Sequence, residues 1–306
     1  MRKLLYILLV LCLTSCLEKE IPFEGKDSKK LLTLSATFST DSLMMVYLSP
    51  TKSVIGIIEG IVPYTGEQAS VDVYEDGIKL EALTYNDIKK AFVGSNKPIA
   101  GKTYTLKAKA NGLDDVEAVV YVPEPVEIIA VSKLENINST SDSFEDRKFS
   151  ISFKDENITN YYKLNVFSIS TYFEDRGNVE YRNVISFTSK DAVFKGKTDN
   201  ISDSFETEYS NLFGVFTDEF IGDNEYSIEL NIASYELFDF YDDFKLFVTL
   251  QSISEDYYLF LKSRELQLDS GDSPFSEPVQ IWSNVRGGAG IAAAYSVSTK
   301  EVIIEK

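Results

Sequence analysis

Short runs in which apolar and small polar residues alternate dominate the chain. Leu32, Leu34, Ala36 and Phe38 alternate with Thr33, Ser35 and Thr37, the period-two pattern of a strand with one buried face. The run from Val71 to Leu80 repeats this pattern on either side of Asp76-Gly77, a pair suited to a two-residue hairpin loop. Thr103 to Ala110 and Val116 to Val120 flank Asn111-Gly112 and predict a second hairpin, its loop extended by Leu113-Asp114-Asp115. Strands at this spacing, with no long helix among them, predict an immunoglobulin-like β-sandwich over residues 31–123.

Val122-Pro123-Glu124-Pro125 marks the best boundary, because two prolines in three residues favour a stiff extended connection over a central strand. Beyond it the β pattern resumes with longer strands: Phe149, Ile151, Phe153; Tyr162, Leu164, Val166; Ile228, Leu230, Ile232; Leu246, Val248, Leu250. Asn178 to Phe187 is expected to pair with a neighbouring return. One segment breaks the pattern. Ser254 precedes the acidic pair Glu255-Asp256, and Lys262 and Arg264 follow, the charge order that a helix dipole favours. Tyr257, Phe260, Leu261 and Arg264 fall on one helical face. The fold expected is therefore all-β, a sandwich followed by a larger antiparallel β domain over 124–306, with one short helix near 254–266.

The N-terminus follows a different rule. Arg2 and Lys3 precede an unbroken apolar run, Leu4 to Leu13, a helix of which would span about 15 Å, half of a bilayer's hydrocarbon core. A secretory leader over 1–15 fits better than a spanning helix. Leu13-Thr14-Ser15-Cys16 resembles a lipobox, with cleavage between Ser15 and Cys16 and acylation of the Cys16 thiol. Each buried methylene is worth roughly 0.8 kcal/mol, so two or three acyl chains, palmitate among them, anchor a protein stably in a lipid bilayer. Residues 16–30, charged and containing Pro22 and Gly25, read as a tether. Glu18 and Glu20, around Lys19, resemble the acidic export signal of bacterial surface lipoproteins, and the resemblance implies the cell exterior.

Composition narrows the chemistry. The chain holds 48 acidic against 30 basic residues, a formal net charge of −18, and loses two of those basic residues with the leader. Such a body repels nucleic acid. Its two cysteines, Cys12 and Cys16, belong to the leader and the anchor, which leaves no disulfide to form. The 18 Tyr and 20 Phe must supply the packing instead. With no histidine, Ser-His-Asp and Cys-His nucleophile systems and His-bearing zinc sites are excluded. Carboxylate-only hydrolysis and oxygen-liganded calcium remain open.

Four groups are candidate sites. Gly287, Gly288 and Gly290 would admit a ligand close to backbone, yet no Gly-Lys-Ser/Thr follows them, and glycines in a strand pattern more often mark a bulge or tight bend. Asp239, Asp242 and Asp243 lie among Phe238, Phe240, Tyr241 and Phe244, a mixture seen where sugars or calcium bind, but without the glycine and terminal glutamate of an EF-hand loop. Asp269 and Asp272 around Gly271 read as a solvated turn. Trp282, the only tryptophan, reads as a core strand residue beside Ile281 or as a binding anchor. No pair of carboxylates stands out as acid and nucleophile, and no catalytic residue, metal or cofactor is expected.

The mature start Cys16-Leu-Glu-Lys-Glu-Ile21-Pro22, the segment Gly101-Lys102-Thr103-Tyr104-Thr105-Leu106, and above all the ending resemble one family. In the ending, Phe275-Ser-Glu277-Pro278-Val279 is followed by Ser283-Asn284-Val285-Arg286-Gly287-Gly288-Ala289-Gly290-Ile291. The resemblance is to a Bacteroidetes outer-membrane lipoprotein family of the DUF4249 type, a domain of unknown function. Where that family has a further aromatic after the glycines, this chain reads Ile291-Ala292-Ala293-Ala294-Tyr295. The resemblance implies an outer-membrane lipoprotein, often encoded near TonB-dependent transporters, and brings no catalytic residues with it. The expectation is a non-enzymatic, surface-exposed, ligand-binding or accessory partner of such a transporter. The alternative is a structural or adhesive surface lipoprotein, with a carboxylate-dependent glycosidase a distant third.

Overall fold

The alternation around Leu32 is realised as strand β1 (Leu32–Ser39), which buries Leu32, Leu34, Ala36 and Phe38 on one face. The structure, a computed structural model, describes residues 29–52, 62–134, 147–155, 158–174, 177–194, 213–222, 225–237, 243–271 and 279–302. Cys16, Ser15, the expected leader and most of the expected tether lie outside the described residues. Next to β1, antiparallel, runs β2 (Met45–Pro50), and the sheet continues through β6 (Ala91–Val93) to β5 (Thr84–Asn86). Facing it is a second sheet of β3 (Ala69–Glu75), β4 (Ile78–Ala82), β7 (Thr103–Ala110) and β8 (Val116–Tyr121). Leu34, Phe38, Val46 and Leu48 from the first sheet meet Val71, Val73, Leu106 and Val120 from the second in one core. Asp76 (φ 47°) and Gly77 (φ 84°) both sit in the left-handed region that a two-residue hairpin loop requires. Tyr104 is fully buried, and its hydroxyl donates to Glu75 at 2.6 Å and accepts from the Ile99 amide at 3.0 Å.

The second core lies between a three-stranded sheet and a broad one. The smaller sheet runs β14 (Glu225–Ile232), β10 (Arg147–Lys154), β9 (Ile128–Leu134). It packs Phe149, Ile151, Phe153, Ile228, Leu230 and Ile232 against Leu164 and Val166 of β11 (Tyr161–Glu174) and Leu246, Val248 and Leu250 of β15 (Asp243–Ile253). The outer neighbours of β11 are β12 (Gly177–Ile185) and, at its start, β13 (Val215–Thr217). Aromatic rings fill the middle of this core, with Phe153 5.6 Å from Tyr162 and 6.2 Å from Tyr226 between centroids, separations at which ring pairs attract.

The last strand joins the two cores. β17 (Ala289–Val302) runs parallel to β1 from Thr33↔Ala289 to Ser39↔Tyr295, then antiparallel to β15 from Ile253↔Tyr295 to Leu246↔Val302. A nine-stranded sheet results. Ala292 and Ala294 of β17, with Val285 of the short β16 (Val285–Arg286) beside β8, enter the first core, and Val302 enters the second. The two consecutive units expected from sequence, 31–123 and 124–306, are thus tied by a strand that contributes to both cores. The proline connection is fastened to this seam. Ser296 donates to the Pro123 carbonyl at 2.6 Å, while the Val126 and Ile128 amides donate to the hydroxyls of Ser252 and Ser298.

All of this is the expected all-β architecture with one α-helix among the described residues, α1 (Glu255–Gly271). The helix outlasts its expected end near 266. Its apolar face stops at Arg264, but Glu265-Leu-Gln-Leu are good helix formers, and they continue the helix with Leu266 and Leu268 exposed. No helix among the described residues is long and apolar enough to cross a membrane.

Parallel pairing of β1 with β17 depends on glycine. A Cβ on Gly290 (φ 112°) would lie 2.0 Å from the Leu34 carbonyl oxygen, and one on Gly288 2.2 Å from that of Leu32. Gly290→Ala is therefore expected to destabilise the protein by about 3 kcal/mol or more, read from the urea midpoint. Gly112→Ala is the control: φ is 78° there, but nothing lies within 4 Å, so only the left-handed cost of about 1–2 kcal/mol applies.

Candidate functional site

Alternation along β11 sends Tyr162 and Leu164 into the second core and turns Tyr161 and Lys163 to the opposite, outer face of the nine-stranded sheet. The chain leaving β15 lays α1 across that outer face. Ser254 anchors the crossing: its amide donates to the Ala294 carbonyl at 2.9 Å, and its hydroxyl accepts from the Ala294 amide at 3.2 Å. Its own carbonyl accepts from the Tyr257 and Tyr258 amides and starts the helix. Ser254 thus occupies the expected start, while its hydroxyl serves β17.

Beneath α1, Val215, Ile253 and Leu261 form a small buried cluster, with Tyr161, Phe213, Tyr257, Tyr258, Phe260 and Tyr295 partly buried around it. Tyr161 and Tyr258 meet with ring centroids 5.1 Å apart. Two cations sit among these rings. Lys163 Nζ is 5.8 Å from the centre of the Tyr257 ring. The Arg264 guanidinium lies 5.4 Å from Phe213 and 5.7 Å from Phe260, within reach of cation–π attraction. Burial, and then the positive charge of Arg264, lower the pKa of Lys163 below the usual lysine value. The hydroxyl of Tyr161 is pushed up to about 12, first by burial and then by its hydrogen bond to Glu255. Burial also raises Tyr257 and Tyr258.

The segment after the helix is held from the same element. Asp256, in the first turn of α1, accepts from the Trp282 indole N–H at 2.9 Å and from the Asn284 amide at 3.0 Å. The Trp282 backbone N–H donates to Ser263 Oγ at 2.9 Å. Asn284 behaves as a piece of strand: its Oδ1 accepts from the Ala292 amide at 2.9 Å and its Nδ2 donates to the Ala292 carbonyl at 2.8 Å. A carboxylate in the first helical turn is favoured by the exposed amides of the helix start, so Asp256 holds both partners without opposing the helix.

The structure sorts the sequence candidates. Gly287, Gly288 and Gly290 are architectural. Gly287 (φ 79°) passes close to the Asp115 carbonyl, and the other two admit β1. Trp282 lies neither in a strand nor in the core: it is 43% exposed on an irregular segment, and its indole nitrogen is engaged by Asp256. The core expectation fails because Ile281 and Trp282 precede the strand, which begins at Val285. Asp239 and Asp242 lie outside the described residues with Phe238, Phe240 and Tyr241. Asp243 opens β15, and Phe244 packs on the second core. Asp269 and Gly271 belong to α1 and not to a turn, and Asp272 lies outside the described residues. Among the described residues no group of three or more metal-ligating side chains gathers.

Residues 18–301 match a family whose description is Domain of unknown function (DUF4249). The chain belongs to this family. No curated protein matches it. For this DUF4249 member the structure gives the distinctive ending a physical role. Asn284 and the spaced glycines build the seam between β17, β1 and α1. Lys163 and Tyr161 carry no site signal in the sequence, and Asp256 reads there only as part of an acidic first turn. A lysine in an alternating strand reads as an ordinary solvent-facing residue, and nothing local shows that a helix will cover it.

Asn284→Ala would leave the buried amide and carbonyl of Ala292 without their partner, so a loss of about 2 kcal/mol or more is expected from the urea midpoint. Asn284→Asp should cost more, because it sets a second carboxylate against Asp256. The tyrosines give a pH signature. With its folded pKa about 12 against the ordinary tyrosine value of 10.0, Tyr161 contributes stability that is present below about pH 10 and lost as pH rises toward 12. Lys163 acts with the opposite slope, since its half-buried charge is relieved as it deprotonates. Urea midpoints measured between about pH 9 and about pH 12 should fall less steeply in Tyr161→Phe than in the parent.

Proposed function

We propose that this protein is exported, acylated on Cys16 and held on the outer membrane facing the cell exterior, where its β body serves as a non-enzymatic ligand-binding or accessory partner of a TonB-dependent transporter. The observation that carries the binding part of this reading is the surface along α1, where half-buried Lys163 and exposed Arg264 lie beside tyrosine and phenylalanine rings. Rings beside cations form a surface that recognises a ligand by stacking and charge. No histidine or free thiol stands near to do chemistry on it. The lipobox supports the anchoring part. Confinement by acyl chains raises the effective concentration of the body beside a membrane partner without any new contact.

Two measurements test this. Cys16→Ser is expected to abolish labelling by radioactive palmitate and to release the protein from the membrane fraction. A tagged chain drawn from gently solubilised outer membranes is expected to bring down a TonB-dependent transporter in near-equal amount. Recovery of fimbrial or adhesive components instead would replace the transporter reading with a structural one.

A further inference from the structure

Seven lysines of the described residues are held by carboxylates. Lys29, Lys79, Lys90, Lys102, Lys107, Lys109 and Lys262 each reach a carboxylate at salt-bridge distance, as expected where acids outnumber bases 48 to 30. Lys163 and Arg264 are not among them. Among the described residues no carboxylate pairs with either, and their polar heads rest on aromatic rings instead. Four acids near this face are engaged elsewhere: Glu255 accepts from Tyr161, Glu265 pairs with Lys262 at 2.6 Å, Asp256 holds Trp282 and Asn284, and Asp218 accepts from the Asn160 amide.

The arrangement is costly as it stands. Lys163 is half-buried, and Arg264 is near enough for its charge to disfavour the ammonium. Packing alone gives no reason to choose charge here, since a methionine at 163 would cover Tyr257 without desolvating an ammonium. A bound anion would relieve both burdens at once, by neutralising the amine and by screening it from the guanidinium. Guanidinium and ammonium together are also the donors best matched to a carboxylate or phosphate.

We propose that Lys163 of β11 and Arg264 of α1, set beside the same ring cluster, together bind the oxyanion group, carboxylate or phosphate, of a small molecule whose apolar or aromatic part lies on Tyr257, Phe260 and Phe213. The net charge of −18 does not forbid this, because distant surface charges are screened beyond about 8 Å at physiological salt, whereas the two cations meet the ligand directly. The same net charge does oppose docking on an anionic lipid surface, which brings many negative charges to the whole face and not to two cations alone. This inference rests on the binding reading of the α1 surface, and its test is independent of any transporter.

The full-length chain in nonionic detergent, titrated calorimetrically with phenyl phosphate and with benzoate, is expected to bind both, and to bind inorganic phosphate and phenol more weakly. Lys163→Met and Arg264→Gln should each weaken phenyl phosphate binding about tenfold or more. Because Lys163→Met alters a half-buried position, Lys163 itself is the second readout. Its ¹³Cε resonance followed against pH should show a raised pKa when phenyl phosphate is present. A Lys163 titration unmoved by the probe, or binding unchanged in both variants, overturns the proposal. Capture on phosphatidylglycerol vesicles that requires both cations, with no binding of the free probes, would overturn it in favour of a membrane headgroup. A transporter recovered from membranes with no anion binding would leave the proposed function standing and remove this inference alone.

Discussion

Both cores depend on one strand lying against two others in opposite senses. The first half of β17 pairs parallel to β1 and its second half antiparallel to β15, so the backbone groups of a single segment satisfy edges on two separate packing units. Buried amides and carbonyls must find partners. Loss of this segment would therefore open an edge of each unit and remove Ala292, Ala294 and Val302 from the two cores. Close approach is what makes the pairing possible. Gly288 and Gly290 bring the backbone of β17 within a distance of β1 that no side chain tolerates. The three alanines that follow, each fully buried, keep the strand thin enough to be covered on both faces.

The helix and its surface are consequences of the same seam. Ser254 ends β15 by bonding Ala294, the point at which β17 passes from one partner to the other, and α1 starts from there. Asp256 then draws back the segment carrying Trp282 and Asn284, and Asn284 closes the loop onto Ala292. The circuit runs from strand to helix to irregular segment and back to strand. Its outcome is a fixed lid over Tyr161 and Lys163 on a face of the sheet that would otherwise meet water. A surface built this way is held by secondary structure on both sides, which suits recognition better than a loop would.

Fastening of the proline connection has a mechanical consequence. Pro123 and Pro125 alone would make a stiff spacer between two bodies free to turn against one another. Ser296, Ser298 and Ser252 bind that spacer along β15 and β17, and the shared sheet removes the remaining freedom. A ligand on the α1 surface and a partner at the far end of either sandwich would thus act on one continuous framework.

What the sequence determined by itself was every feature governed by neighbours in the chain. Alternation at Leu32 to Phe38, Phe149 to Phe153 and Leu246 to Leu250 named the strands and their buried faces, since side-chain direction in a strand has a period of two. Asp76-Gly77 named a hairpin because those residues accept left-handed backbone. The helix after Ser254 was legible from its acidic first turn and apolar face, and the glycines after Asn284 were legible as a tight structural feature. Only the tertiary structure decided what those elements meet. That Gly290 faces Leu34 across 256 positions, that Trp282 serves Asp256 instead of a core, and that Lys163 lies under a helix with Arg264 are facts of pairing between distant segments. The energy of such pairing resides in contacts that no local pattern records: a backbone too close for a Cβ, a carboxylate shared by two donors, and a lysine kept from water.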